Sequence, residues 1–245
     1  MREVVGILGG MGPAATADFF EKLLRATPAK TDQEHLPVLI YSNPQIPDRT
    51  AAIRGEGPDP VPDLVATAEA LIRGGASFLA IPCVTAHAFF EPLQRAVTVP
   101  ILHLVDETAE FLLADRPGIR RIGLLATSGT IQSRLFHDRF ETRGLTLLTP
   151  EPAVQTDRVM AAIYGVKGGA RDRASALIRE AGEHLVARGA EAVIAGCTEI
   201  PLILRDGDLA VSVIDPTWIL AQAAVRRALG RERRPRATQR CYKDG

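Results

Sequence analysis

The chain has 245 residues, 46% of them hydrophobic and 24% charged, with 21 Gly and 17 Pro. That apolar share excludes a disordered chain, and the length is ample for a core in one large or two small domains. Basic and acidic residues balance at 29 each, which excludes a whole-chain electrostatic nucleic-acid binder, and no apolar run is long enough to span a membrane.

The pattern alternates strand and helix. Val4-Val5-Gly6-Ile7-Leu8 is an apolar run ending at Gly9-Gly10, which predicts a buried parallel strand. Thr16 to Ala26 follows as an amphipathic helix, then Pro37 to Tyr41 as a second strand. Asn43 to Gly57 is rich in Pro and Gly and is expected to be a long loop of the functional kind. Asp63 to Arg73 predicts a helix closed by Gly74-Gly75, and Phe78 to Ile81 a third strand. Ala86 to Ala96 is expected as a helix and Val99 to Leu102 as a fourth strand. The pattern then restarts. Arg121 to Ala126 is a strand ending in Thr127-Ser128-Gly129-Thr130, and helices are expected over Ile131–Arg143 and Ala174–Arg188. Strands follow over Ala192–Ala195 and Val211–Ile214, with a last helix over about Thr217 to Leu229. This alternation predicts an α/β protein built on parallel sheets.

The restart reads as an internal repeat. Gly6-Ile7-Leu8-Gly9-Gly10 resembles Gly123-Leu124-Leu125-Ala126-Thr127, and each half later has a strand ending in cysteine followed closely by threonine. These are Pro82-Cys83-Val84-Thr85 and Gly196-Cys197-Thr198. The expectation is two pseudo-symmetric lobes, each a parallel sheet flanked by helices, with the active site in the cleft between them. Residues 1–105 with 215–230 would form the first lobe and 106–214 the second. Residues 231–245 would be a basic, solvated tail; from Arg226 onward there are eight basic residues and two acids.

Cys83, Cys197 and Cys241 are too few for a disulfide framework. The apolar run after Met1 is too short for a signal peptide, so a reducing cytoplasm is the expected compartment. Free cysteines must then be explained by packing as small hydrophobes or by reactivity. A cysteine at a strand end with a helix starting beyond it sits near positive backbone charge that favours its thiolate. One such residue per lobe suits a two-base reaction in which an acidic C–H loses its proton to one sulfur and regains one from the other.

Three segments carry a specific resemblance. They are Gly6-Ile7-Leu8-Gly9-Gly10-Met11-Gly12-Pro13-Ala14-Ala15-Thr16, Asn43-Pro44-Gln45-Ile46-Pro47-Asp48-Arg49-Thr50 and Gly196-Cys197-Thr198-Glu199-Ile200-Pro201-Leu202. Together they resemble the aspartate/glutamate racemase family, and most closely its aspartate racemase branch, from about Val4 to Val225. The resemblance implies cofactor-independent racemisation of a small amino acid or dicarboxylate, without metal, by a homodimer that engages neither nucleic acid nor membrane. It assigns Cys83 and Cys197 the acid/base roles. It places Met11, Gln45, Arg49, Val84, Thr85, Lys167, Thr198 and Glu199 in the substrate pocket.

Physical roles fit those assignments. Thr85 and Thr198, beside the cysteines, suit hydrogen bonding to a substrate carboxylate. Arg49 suits a bidentate carboxylate clamp, against the alternative of a surface arginine. Lys167, between Gly165 and Gly168-Gly169, is expected on a mobile loop that closes over a carboxylate. Glu199 suits orientation of Thr198 or of the substrate amine, or a place in the first turn of a helix. One position departs from the family pattern: where Pro-Cys-Asn-Thr is typical, this chain has Val84. Two alternatives stand beside racemisation: a related superfamily isomerase or decarboxylase of a small carboxylate, and, because of Val84, a carboxylate-binding protein impaired in catalysis. Gly10-Met11-Gly12-Pro13-Ala14-Ala15 loosely matches a dinucleotide loop, but the next strand ends at Ser42-Asn43 without the acid a ribose needs. Cys83 and His87 have metal-pair spacing, but no fourth ligand suggests itself, and His87 reads as helix packing or support behind the cysteine.

Overall fold

The computed structural model describes residues 2–230. The expected basic tail, with Cys241, lies outside the described residues. The chain divides into two compact units. One runs from the N-terminus to Thr108 and resumes at Thr217; the other is Ala109–Pro216.

The first unit holds a four-stranded parallel sheet of β1 (Val5–Gly9), β2 (Val38–Ser42), β3 (Phe78–Ala80) and β4 (Ile101–Leu102), in the order β2-β1-β3-β4. β1 is buried along its length, as its unbroken apolar run requires. Gly6 lets β1 approach β3: a Cβ there would stand 2.6 Å from a Leu79 methyl and 2.8 Å from the Ala76 Cβ. The connecting helices are α1 (Pro13–Ala26), α2 (Arg49–Ile53), α3 (Val61–Arg73) and α4 (Phe90–Ala96), with single 3-10 turns at Asp32–Glu34 and Thr85–Phe89. α3 buries Leu64, Thr67, Ala68 and Leu71, one face at helical spacing, against β1 and β2. α1 starts at Pro13, three residues before the expected start, because proline fits the first helical position, whose N–H needs no partner.

The boundary between the units falls within α5 (Leu104–Asp115). The second unit repeats the sheet with β5 (Arg121–Ala126), β6 (Thr146–Leu148), β7 (Ala192–Gly196) and β8 (Ser212–Ile214), parallel and in the order β6-β5-β7-β8. Its helices are α6 (Ser128–Gln132), α7 (His137–Glu141), α8 (Pro152–Val154), α9 (Ala161–Lys167) and α10 (Arg171–Ala187), with a π-helical turn Gln155–Met160 and a 3-10 turn Ile200–Leu202. The two strand orders correspond one for one, so the internal repeat is a repeat of sheet topology. In both sheets the cysteine follows the third strand.

The last helix, α11 (Pro216–Ala228), belongs from Thr217 onward to the first unit. The buried Lys22 ammonium donates to Thr217 Oγ1 at 2.8 Å and pairs with Asp18 at 2.5 Å, tying α1 to α11. Arg226 and Arg227 add ion pairs to Glu107 and Glu3, both at 3.1 Å.

Other sequence expectations change. The single helix expected over Ala86–Ala96 is a 3-10 turn at Thr85–Phe89 followed by α4. The Asn43–Gly57 loop contains α2, whose first turn is capped by the Asp48 side chain accepting from the Ala51 N–H at 2.8 Å. The single helix expected over Ile131–Arg143 is two short ones. Between them Arg134 takes a left-handed φ of 54°, and its guanidinium reaches forward to Asp138 and Glu141, both at 2.8 Å. Lys167 ends α9 rather than sitting in a loop, because helical backbone runs continuously from Pro152 to it and Gly168 provides the C-cap.

Candidate active site

Parallel pairing brings the C-terminal ends of β1, β2 and β3 to one edge of the first sheet. The segments that leave this edge carry most of the first unit's candidate residues. The β1 exit is held by Thr16, whose hydroxyl accepts from the Gly10 N–H at 2.8 Å and donates to the Gly12 carbonyl at 2.9 Å. Gly10 has a left-handed φ of 96°, and a Cβ there would fall 2.3 Å from the Asn43 backbone. Only glycine allows the β1 and β2 exits to approach this closely. Met11, on that exit, is buried in the same apolar cluster as Ile46 and Cys83.

After β2, the Asn43 side chain accepts from the Gln45 N–H at 3.1 Å and donates to Thr67 Oγ1 at 2.9 Å, which fixes the turn. The Gln45 side chain is exposed. Arg49 is buried, and one of its terminal nitrogens donates to the carbonyls of Ile46 at 2.8 Å and Pro47 at 2.6 Å. Its Nε is also buried and has no hydrogen-bond partner. A guanidinium anchored at one corner with a donor left over is arranged for an incoming oxygen acceptor. α2, which begins at Arg49, packs beside the Thr85–Phe89 turn, so β2's exit and β3's exit meet.

Beyond β3, Cys83, Val84 and Thr85 are all buried. The Cys83 N–H donates to the Ile81 carbonyl at 2.8 Å, and its own carbonyl lies 3.0 Å from His87 Nδ1. His87 Nε2 faces the Leu104 N–H at 3.2 Å. A backbone N–H can only donate, so Nε2 accepts, and Nδ1 carries the proton given to the Cys83 carbonyl. Both ring nitrogens are thereby committed, which leaves neither for the Cys83–His87 metal pair that the spacing raised. Among the described residues no group of three His, Cys, Asp or Glu is placed to hold a metal ion.

In the second unit Cys197 follows β7 at the margin of the apolar core, with Thr198 and Glu199 as polar neighbours. Its thiol donates to Glu199 Oε2 at 3.0 Å, and Thr198 Oγ1 donates to the same oxygen at 3.3 Å. All three residues are buried. Burial pushes the Cys197 thiol well above its ordinary range, the Glu199 carboxylate pushes it further, and the charge of Lys167 partly opposes them. The sulfur therefore holds its proton at neutral pH. Lys167 stands at the end of α9, with its ammonium 5.8 Å from the Tyr164 ring.

One contributor was not singled out from sequence. Ala126 pairs in register with Gly196, so the turn after β5 lies beside Cys197's strand end. That turn is held by Gln155, which donates to the Ala126 carbonyl at 2.9 Å and to Ser128 Oγ at 3.3 Å. Gln155 lies in the π-helical turn, a local irregularity without a motif. The strand ending at Thr127-Ser128-Gly129-Thr130 was the only signal pointing there.

Comparison with known proteins agrees with the resemblance. A family model described as Asp/Glu/Hydantoin racemase matches residues 8–224. The broad specificity amino-acid racemase RacX of Bacillus subtilis (strain 168) is 28% identical over 91% of this chain and 96% of its own. The solved Picrophilus torridus aspartate racemase is 30% identical with a TM-score of 0.82, covering 92% of this chain and 94% of that one. An aspartate racemase homologue from Pyrococcus horikoshii OT3 is 26% identical with a TM-score of 0.72, covering 94% and 100%. A glutamate racemase from Francisella tularensis, at 17% identity and a TM-score of 0.66, shares the fold. A match spanning nearly all of both sheets, together with full-length racemase relatives, places this chain in the Asp/Glu/hydantoin racemase family.

Proposed function

We propose that the protein is a cofactor-independent amino-acid racemase, for aspartate, glutamate or a related amino acid, with Cys83 and Cys197 as its two acid/base groups. The observation that carries this reading is the buried Cys197 thiol, held protonated beside Glu199, just past the strand that corresponds to β3, the strand that leads to Cys83.

The proton balance follows. Cys83, as thiolate, takes the Cα proton and leaves a carbanion next to the substrate carboxylate. The Cys197 thiol returns a proton to the opposite face of that carbon. The product has inverted configuration, Cys83 is now a thiol, and Cys197 is a thiolate beside a carboxylate. In this second state the Cys197 thiolate takes the Cα proton of the opposite enantiomer and the Cys83 thiol returns one, which restores the first state. Without substrate, the first state returns when Cys83 releases its proton to water and Cys197 takes one up, a reset favoured by the negative charge of Glu199 beside Cys197. Enzymes lower such barriers by about 8–23 kcal/mol, and the largest share comes from fixed donors aimed at developing charge. Arg49 supplies a donor already anchored by two carbonyls. Thr85 supplies a hydroxyl at the Cys83 turn, the Thr198 hydroxyl is engaged with Glu199 and steadies the Cys197 turn, and Lys167 supplies positive charge in the second unit. Met11, Gln45 and Val84 complete the pocket and set which side chain fits.

The test is solvent-deuterium exchange. The protein is incubated in deuterated buffer with each enantiomer of aspartate, glutamate and a panel of other amino acids, with chelator present and pyridoxal phosphate absent. Exchange at Cα with inversion is the expected result. Binding without exchange for every amino acid would overturn the reading in favour of a carboxylate-binding protein. Release of carbon dioxide would favour a decarboxylase.

A further inference from the structure

The His87 ring is hydrogen-bonded to the backbone of Cys83 in this structure. It is buried, its ring stacks at 9° to Phe90 with 6.2 Å between centroids, and the His103 ring meets it edge-on at 5.1 Å. Those neighbours set the ring plane. The two hydrogen bonds set the tautomer: Nδ1–H to the Cys83 carbonyl at 3.0 Å, and Nε2 accepting from the Leu104 N–H at 3.2 Å. Leu104 opens α5, so the imidazole caps that helix from seventeen residues away and uses the helix as a fixed point from which to hold the cysteine turn. The segment needs such a support. Among the described residues the β3 ladder ends at Ala80, and Cys83 lies three residues beyond it.

We infer that His87 is a positioning residue for the reaction, a neutral bridge that fixes the Cys83 turn against the start of α5. This rests on the acid/base role proposed for Cys83. It assigns a function to a residue that touches no substrate atom, through the peptide that carries the reacting sulfur. A shift of about 1 Å in a reacting group costs on the order of 100-fold in rate, so loss of the Nδ1–H bond should register in kcat rather than in KM.

The two amide variants separate this role from mere packing. In His87→Asn the amide nitrogen occupies the place of Nδ1, so the bond to the Cys83 carbonyl is retained and the bond to Leu104 is lost. In His87→Gln the amide reaches the place of Nε2, so the Leu104 contact is retained and the Cys83 contact is lost. His87→Ala loses both. Racemisation kinetics on the full chain are measured with peptide-resolved alkylation of Cys83 by iodoacetamide, with Cys197 as the internal reference. Thermal midpoints are recorded in parallel. The expected result is a kcat loss of about 100-fold for Gln and Ala, with KM within about 3-fold and Asn rescuing most of the loss. The Cys83 labelling rate should change in Gln and Ala but not in Asn, relative to Cys197. Equal kcat losses for Asn and Gln, tracking the thermal midpoints, would overturn the inference. So would unchanged Cys83 labelling in Gln. Full activity of Cys83→Ser would instead overturn the two-cysteine reading, a result readable without any His87 variant.

Discussion

The protonated state of Cys197 has a thermodynamic consequence that can be measured without a substrate. In the unfolded chain its thiol ionises near 9.0; in the fold, burial first and the Glu199 carboxylate second push that ionisation well higher. A group whose folded pKa is raised gives stability that is fully present below the unfolded pKa and is lost as pH climbs toward the folded one. The affected window therefore opens at about pH 9 and extends upward. While the folded thiol keeps its proton, the loss from this one group begins near pH 9 and is on the order of 1 kcal/mol by pH 10, growing by roughly the same amount per further pH unit. Cys197→Ser removes the ionisation and keeps a hydroxyl that can still donate to Glu199. Urea unfolding of the parent and the variant at pH 7, 8, 9, 9.5 and 10 isolates the effect, because every other titrating group is common to both. The difference in stability should be flat to about pH 8.5 and then shift against the parent by on the order of 1 kcal/mol at pH 10. Parallel curves across the whole range would refute the buried thiol–carboxylate pair.

Other predictions concern the first unit. Arg49→Lys removes the planar fork that holds two carbonyls and presents Nε, so kcat/KM should fall by roughly 10- to 100-fold, the worth of a charge-assisted hydrogen bond; steady-state kinetics that stay within 2-fold would count against the clamp. Val84→Asn restores an amide at the cysteine turn and should raise aspartate turnover, while no gain in a chiral assay would remove Val84 as the limit on that substrate. Thr16→Val keeps the shape but strands the Gly10 N–H, which now donates to Thr16 at 2.8 Å. It should cost about 1–3 kcal/mol in denaturant unfolding, and a neutral result would mean that water reaches the β1 exit.

The framework was legible because its signals are local. Apolar runs marked β1 and β5, and the recurring cysteine–threonine pairs marked the turns just past β3 and β7. What stayed hidden depends on distant partners. No element was assigned between Leu102 and Arg121, yet α5 lies there. The N-terminal N–H groups of α5 are met by histidines instead of the usual Ser, Thr, Asp or Asn: His87 accepts from Leu104, and His103 Nδ1 lies 3.3 Å from the Asp106 nitrogen. The break between α6 and α7 likewise depends on Arg134 reaching Asp138 and Glu141 from a left-handed backbone, which no glycine announced. At the site, residue types pointed to Cys83, Arg49 and Cys197. They did not disclose that Arg49 has one terminal nitrogen engaged with its own loop, or that Glu199 serves the sulfur of Cys197. Gln155 was missed because its role comes from a π-helical turn, a feature with no periodic signature.

If two sulfurs share the proton transfer, the loss of either one halts racemisation in both directions. Racemisation of both aspartate enantiomers by Cys83→Ser and Cys197→Ser, each compared with the parent by chiral chromatography, tests this directly. A serine hydroxyl is a far weaker acid than a thiol, and losing a positioned acid or base costs about 100- to 10,000-fold. Both single variants should fall by that factor in both directions while keeping the parent's circular dichroism. Near-parental racemisation by either one would contradict the account.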